Sequence, residues 1–448
     1  MINLNFNYEL EPTGDYAFID MKSFYASCEL VARGRHPLKD LLVVMSHADN
    51  TSGLILASSP MAKKLLGITN VTRAWQLPNI IENPAVADLI IVPPRMRYYI
   101  SENLKIQAII RNYAADEDIM WYSIDEGVVD LTHSLNYFVP ENLSRTKKLD
   151  ILAQRIQLDI LQNTGIYATV GLSNSNPLLA KLALDNEAKH AKNMRALWNY
   201  QDIANKVWQI SELDDFWGIG KRMKKNFLQM GIQTIYDLAH ASPADLKKKF
   251  GIIGLQLYHH ANGIDRTKLQ KRYVPKSKNL GNSQILPRDY RGEEMPLIIR
   301  EMAEQVATRL RRRRGRAGTV SLAIGYSNTA LTKGFSRQLK IPPTDNTNEL
   351  SEHLLFLFKK FYTGEAVRSI AVSYSAIQPC VGKQLDLFKE VDQQLRQEHL
   401  DQVTDLIRER YGFVSLIRAS SKLEHARSVT RANLVGGHDG GAGGLDGL

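Results

Sequence analysis

From residue 16 to about residue 190 the chain alternates short apolar runs with longer amphipathic ones, and this alternation limits the fold more than any other feature. YAFID (16–20) and LLVVM (41–45) read as buried strands. Between them, MKSFYASCELVARG carries Phe24, Cys28 and Val31 at helical spacing. A Ser-rich turn, ASSP, precedes MAKKLLG, a short helix stopped at Gly67. Residues 97–114 follow the breaker PPR as an amphipathic helix, and WYSIDEGVVDLT then reads as strand, turn, strand. A helix over 144–163, the strand IYATVGLS and the helix PLLAKLALDNEAK complete the pattern. Interleaving of this kind predicts one open sheet covered by helices.

The pattern changes after residue 190. Residues 202–264 read as short helices broken at Gly218, Gly220, Gly231, Gly251 and Gly263, with no strand signal. The basic stretch TKLQKRYVPKSKN reads as a linker. From about residue 283 the order is strand, helix, strand, strand, helix, strand, the split βαβ layout. Residues 391–410 form one more amphipathic helix, and the glycine-dominated end GGHDGGAGGLDGL is expected to be disordered. The fold class is therefore α+β.

At 448 residues the chain calls for roughly two to four domains. It has no run of about 18 apolar residues and no basic-then-apolar leader, so neither a membrane span nor a signal peptide is expected. Cys28 and Cys380 are far apart and outside any CxxC. That points to a reducing, cytoplasmic setting and away from a thiolate metal site. A net charge of +10 suits nucleic acid, although membranes and acidic partners attract such a protein too.

YSIDEGVVDLT places Asp125 and Glu126 side by side among apolar, β-prone neighbours. A surface turn between strands explains this, and so does a cation site; nothing local decides. A distant partner exists in FIDMKSFYASCE, where Asp20 ends an apolar strand just as Asp125 follows YSI. Adjacent strands of one sheet would aim these acids at one point. Converging carboxylates without a basic partner repel one another, and a divalent cation relieves this. Oxygen donors alone suit Mg²⁺, and two such ions roughly 3.5–4 Å apart clamp both oxygens of a phosphoryl transfer. Spacing leaves both readings open.

FIDMKSFYASCE, ASSPMAKKLLG, YSIDEGVVDLT and VGLSNSNPLLAKLALDNEAK resemble, in order, the palm and finger segments of Y-family translesion DNA polymerases, in particular the UmuC-like branch of Gram-positive bacteria. The resemblance runs from about residue 15 to the end. It implies a right-hand polymerase: a ferredoxin-like palm (1–29 and 83–190), small fingers (30–82) and an all-α helix-hairpin-helix thumb (191–266). A linker (267–282), a βαββαβ little finger (283–379) and a clamp-binding tail (380–448) would follow. No long domain is left for a proofreading exonuclease. It further implies that Asp20, Asp125 and Glu126 are the catalytic acids, holding two Mg²⁺ ions with the Met21 carbonyl. Tyr25 would exclude a ribose 2′-hydroxyl, whereas its neighbour Phe24 is core. Ser58, Lys63, Lys64 and Lys181 would hold the incoming dNTP. Met61 and Lys64 stand where relatives often carry Tyr and Arg, so which lysine of the Lys63/Lys64 pair grips the phosphates is open. Asn176 and Pro177 form an N-cap and first helical position, which puts Lys181 one turn into its helix.

FWGIGKRMKKNFLQMG resembles a helix-hairpin-helix, in which N–H groups near Gly218 and Gly220, with Lys221 behind, meet a DNA phosphate without reading sequence. The run RLRRRRGRAG offers Arg309, Arg311, Arg312, Arg313 and Arg314, and Arg337 lies in the same domain. Phosphate contact and a solvated helix end are the two readings of that run, and the first predicts steep salt dependence. QLDLF resembles the pentapeptide by which bacterial polymerases dock on the sliding clamp, with Gln384, Leu385, Leu387 and Phe388 as anchors. Expected partners are primer–template DNA, dNTPs, the clamp's beta subunit and damage-response accessory proteins, with no membrane. Two other classes compete. A catalytically weak DNA- and clamp-binding protein that competes for primer ends would show a broken acid set, yet all three acids are present. A nucleotidyl cyclase would have no use for the hairpin, the arginine run or QLDLF.

Overall fold

The computed structural model describes residues 6–46, 53–68, 71–77, 84–271, 273–275, 277–380, 390–435 and 438–439. The chain forms two compact units, Met1–Arg272 and Tyr273–Leu448.

The first unit opens with β1 (Tyr16–Met21), α1 (Phe24–Val31), β2 (Leu42–Ser46), β3 (Leu54–Ser58) and α2 (Pro60–Leu66). β4 (Ile90–Val92), α3 (Met96–Ile110), β5 (Ile119–Trp121), β6 (Glu126–Asp130), α4 (Leu135–Phe138) and α5 (Arg145–Thr164) follow. The unit continues through β7 (Ala168–Ser173), α6 (Pro177–Ala183) and β8 (Arg195–Leu197). One sheet has the order β5-β6-β1-β7-β8. Its central β1 is buried along Ala17, Phe18 and Ile19, so it reads as a continuous apolar run without alternation. Leu149, Leu152, Ala153, Ile156 and Ile160 line the buried stripe of α5, which ends where Gly165 adopts φ 69°.

A second sheet, β3-β2-β4, carries its own core of Leu41, Val43, Met45, Ile55, Ala62, Leu66 and Ile68. Because β4 pairs in parallel with β2, this layer reaches Val92, past the limit of 82 expected for the fingers. Likewise β8 pairs in parallel with β7, so the first sheet runs beyond residue 190, where the thumb was expected to begin.

The helices α7 (Lys221–Leu228), α8 (Ile235–His240), α9 (Pro243–Phe250) and α10 (Ile252–Ala261) close the unit around Phe216, Phe227, Ile235, Leu238, Leu246 and Leu257. Thr234 and Asp237 form a capping box on α8, and Ser242 caps α9 ahead of Pro243. Leu269 belongs to the same core and Gln270 Nε2 donates to Asp118 Oδ1 at 2.6 Å. The expected linker at 267–282 is thus shorter, since its first residues pack in this unit.

The second unit runs β9 (Leu280–Tyr290), α11 (Met295–Arg312), β10 (Gly315–Tyr326), β11 (Gly334–Thr344), α12 (Thr347–Phe361) and β12 (Val367–Pro379). The sheet order β11-β10-β12-β9, antiparallel throughout, is the split βαβ arrangement read from the sequence. Ile298, Met302, Val306 and Leu310 seat α11 on it, with Leu350, Leu354 and Phe358 of α12. Then α13 (Val391–Tyr411) and α14 (Ser428–Ala432) return to α11. Arg431 meets Glu301 at 3.3 Å, and Arg408 and Arg418 meet Glu304 at 3.2 and 3.3 Å. Residues 391–432 are therefore part of this unit's packing and not a free tail. Of the glycine-rich end, only His438–Asp439 falls within the described residues, paired with Leu434–Val435.

Candidate active site

The register of β1 on β6 sets Asp20 opposite Glu126, and Met21 N–H donates to Asp125 O at 2.9 Å. The three expected acids thus meet at one end of two central strands. The turn that carries them is fixed from within. Tyr122 and Ser123 N–H both donate to Glu126 O, Ser123 Oγ donates to Asp125 Oδ1 at 2.8 Å, and Asn103 Nδ2 donates to Ile124 O at 2.6 Å. Burial, then the charges of Asp125 and Glu126, lifts the Asp20 carboxyl to about 6 against the pull of Lys189. Burial raises Asp125 as well, opposed by its Ser123 hydrogen bond. Among the described residues, no three His, Cys, Asp or Glu side chains form a closed metal cage. The oxygen-only donors nonetheless fit a hard divalent cation.

The acids do have basic partners, which corrects the expectation of carboxylates without them. Lys181 Nζ donates to Glu126 Oε2 at 2.7 Å and lies 3.3 Å from Asp185. Lys189 Nζ lies 2.8 Å from Asp185 and 3.4 Å from Asp20. Burial would lower the Lys189 ammonium, but Asp20 and Asp185 more than reverse this and hold it above its usual value. Lys181 is buried, so in this arrangement it neutralises an acid where contact with a triphosphate was expected. Its helix begins as read: Asn176 caps it, accepting from Leu179 N–H, and Pro177 is first. α6 approaches β7 closely enough that a Cβ on Gly171 would meet Ala180 O at 2.0 Å. Asp185 and Lys189 were missed; their signal is the spacing of four from Lys181 with alternating sign.

Ser23 takes φ 48° between β1 and α1, a strained left-handed turn beside the acids. Lys63 Nζ reaches Ser23 Oγ at 3.5 Å, and the Asp20 charge acts on it, so Lys63 is the member of its pair that faces the acids. Lys64 is exposed. Ser58, expected to help hold the nucleotide, is fully buried and its Oγ has no hydrogen-bond partner among the described residues.

Phe24 is core, as read, whereas Tyr25 is partly open and the Asp125 charge reaches its hydroxyl. The Tyr25 ring stacks on Tyr99 at 4.5 Å and 16°. Tyr99 is wholly buried and donates to Glu29 Oε1 at 2.9 Å. Glu29, equally buried, accepts from Arg95 Nε and Nη2 at 2.8 Å each, and from Arg33. Burial would raise its carboxyl, but these donors hold it below the usual range. The sequence reading missed this whole support.

Gly218 takes φ 96° and Gly220 caps α7 without a side chain, leaving its first N–H groups for an outside acceptor. Lys221, Arg222 and Lys225 are exposed, but Lys224 is held by Glu212 and Asp214 at 2.6 Å each. A cavity of about 710 Å³ is lined by hairpin residues Trp217, Gly218 and Gly220 together with Asp185 and Lys189.

In the second unit Arg312, Arg313 and Arg314 are exposed, and Arg309, also exposed, donates to Gly281 O at 3.1 Å. Arg337 is exposed with its guanidinium 5.0 Å from the Phe361 ring centroid. Arg311 is a correction: its Nε lies 2.6 Å from Asp405 and its Nη1 3.4 Å from Asp401, so it is a packing residue. Gln384, Leu385, Leu387 and Phe388 lie outside the described residues. Among the described residues, no helix is long and apolar enough to cross a membrane.

The profile of the impB/mucB/samB family matches residues 19–185, and that of its C-terminal domain matches residues 277–387. A DNA polymerase-iota thumb-domain profile matches residues 214–265. A putative UV-damage repair protein, UvrX of Bacillus subtilis (strain 168), is 39% identical over 96% of this chain and 99% of its own length. DNA polymerase IV 2 of the same organism is 33% identical over 94% of this chain and 97% of its own. A solved Y-family DNA polymerase chimera, Dbh-Dpo4(243-245)-Dbh, shares the fold at a TM-score of 0.62, with 21% identity, over 82% of this chain and 99% of that one. With relatives this similar along nearly its whole length, the chain belongs to the impB/mucB/samB family of Y-family DNA polymerases.

Proposed function

We propose that this DNA-directed DNA polymerase performs error-prone translesion synthesis in an SOS-type damage response, on the UmuC-like branch of its family. The observation that carries the reading is the meeting of Asp20, Asp125 and Glu126 at one end of β1 and β6, with the Asp20 carboxyl lifted to about 6. Asp20, Asp125, Glu126 and the Met21 carbonyl would hold two Mg²⁺ ions, which supply the charge that activates a primer 3′-hydroxyl and neutralises a triphosphate. Lys181 pairs with Glu126 and Lys189 with Asp20, which holds these side chains in place. Lys63 faces the acids from the fingers, where it can meet phosphate as a point charge. Tyr25, fixed from below by Tyr99, occupies space that a 2′-hydroxyl would need.

The hairpin at Gly218 and Gly220 grips a backbone phosphate, and Arg309, Arg312, Arg313, Arg314 and Arg337 supply further cations for the duplex. The fingers, a small sheet with α2, enclose little of a nascent pair, which suits distorted templates. A relative whose name refers to UV-damage repair supports the same role. QLDLF tethers the enzyme to the sliding clamp. The test is primer extension on undamaged and lesion-bearing templates by Asp20→Ala, Asp125→Ala and Glu126→Ala. Each should lose nearly all extension and keep its DNA affinity. Wild-type extension by any of them removes that acid from the mechanism.

A further inference from the structure

The thumb hairpin is tied to the catalytic turn through a row of aromatic rings. Trp217, immediately before Gly218, lies face-on to buried His260 at 6.3 Å and 11°. It meets Tyr122 edge-to-face at 5.9 Å and 66°. Tyr122 in turn meets Phe18 edge-to-face at 6.4 Å and 65°. The Phe18 ring carries the Lys181 ammonium 4.7 Å from its centroid, and that ammonium donates to Glu126 at 2.7 Å. Tyr122 is 53% exposed although two rings hold it, and its own N–H donates to Glu126 O at 2.9 Å. Edge-to-face pairs at these separations are favourable and directional.

We propose that Tyr122 and Trp217 are positioning residues that pass the seating of the primer duplex on the thumb hairpin to the Lys181–Glu126 pair. Trp217 adjoins Gly218 in the chain, so a phosphate that draws the hairpin inward moves the indole with it. The indole bears on Tyr122, and Tyr122 reaches Glu126 by two routes, its backbone hydrogen bond and the Phe18–Lys181 stack. A cavity lined by Trp217 and Gly218 on one side and by Asp185 and Lys189 on the other adjoins both the hairpin and the partners of the acids. The pair thereby sets where the primer 3′ end stands relative to the acids, which is a matter of alignment and not of nucleotide binding. Displacement of reacting atoms by about 1 Å costs on the order of 10²-fold in rate.

The inference rests on the polymerase reading, which the acid variants test separately; here the acid set stays intact. Single-turnover extension is measured for Tyr122→Ala, Trp217→Ala, the double variant and Tyr122→Phe, with dNTP KM and DNA Kd determined for each. The expected result is a maximal rate lowered about tenfold or more in either single variant, with KM and Kd within about twofold. The double variant should be no slower than the worse single, because both break one contact. Tyr122→Phe, which keeps the ring, should restore the rate. If Trp217→Ala does not fold, Tyr122→Leu against Tyr122→Phe decides, since leucine keeps bulk without an aromatic edge. Additive losses, equal rates for Leu and Phe, a wild-type rate for Tyr122→Ala, or an effect confined to Kd would each overturn the proposal.

Discussion

Glu29→Ala should cost the first unit more than any exposed substitution and loosen Tyr25 at the same time. Glu29 is wholly buried and accepts from Arg95 twice, from Arg33 and from Tyr99. The cost is set by whichever donor is left buried without an acceptor, about 1–3 kcal/mol for one neutral group. The arginine side chains are 42% and 37% exposed and can turn to water. Tyr99 cannot: it is 0% exposed, so its hydroxyl would be left without an acceptor. For a unit of this size the loss corresponds to a fall of about 2–12 °C in thermal midpoint. Glu29→Gln, which keeps an acceptor for Tyr99, should fall less. The pH sign is fixed by the depressed carboxyl. Its contribution is complete above the ordinary carboxylate range and disappears as pH falls through the lowered folded-state value, so wild type and Glu29→Gln should converge in strong acid. Thermal melts across pH and single-nucleotide insertion of ribo- against deoxyribonucleotides are the assays. A midpoint shift under about 2 °C refutes the energetic reasoning. A large shift with unchanged sugar selectivity refutes the link to Tyr25 and leaves Glu29 a fold residue.

Tyr25→Ala should raise ribonucleotide insertion directly; an unmoved ribo-to-deoxyribonucleotide ratio would mean that Tyr25 only packs on Tyr99. Arg311→Ala should destabilise the second unit by about 3 kcal/mol or more, because Asp401 and Asp405 lose their buried partner, while DNA affinity and its salt slope stay near wild type. A lower salt slope at unchanged stability would return Arg311 to the DNA contacts. Leu387→Ala with Phe388→Ala should cut clamp binding by about 2 kcal/mol or more per residue and spare extension without clamp. Titration against purified clamp that shows no change in affinity would make QLDLF an ordinary segment.

Much of the fold was legible because the elements that matter are long enough to show a period. The split βαβ of the second unit, the α5 stripe and the Asn176–Pro177 cap all follow from local rules. The limits of the subdomains were not legible, because β4 and β8 are three-residue strands. So short a strand has no alternation to read, and its place is set by its neighbour in the sheet. The C-terminal helix α13 was visible as a helix, but what it lies on was not. Its inner face offers Asp401, Asp405 and Arg408 to α11, and charge carries no hydropathic period. Arg311 was misread for the same reason: within RLRRRR every arginine looks alike, and the acids that single one out lie some 90 residues on.

At the active site, the sequence led to the acids and overlooked the charges that make them tolerable. Lys181, Asp185 and Lys189 stand at intervals of four, so a single helical face presents cation, anion, cation to the ends of β1 and β6. A strict α-helix would drift off that line; the π-helical turn Leu184–Ala188 widens the segment just where Asp185 and Lys189 must diverge toward Glu126's partner and Asp20. The segment can hold this line only because Gly171 lets α6 lie against β7. A glycine on the neighbouring strand, with no charge of its own, thus lets this charged segment take its place. The acids were named from the resemblance of FIDMKSFYASCE and YSIDEGVVDLT to family segments, since spacing alone left a surface turn equally open. Their counter-charges depend on a backbone approach that only the folded chain makes visible.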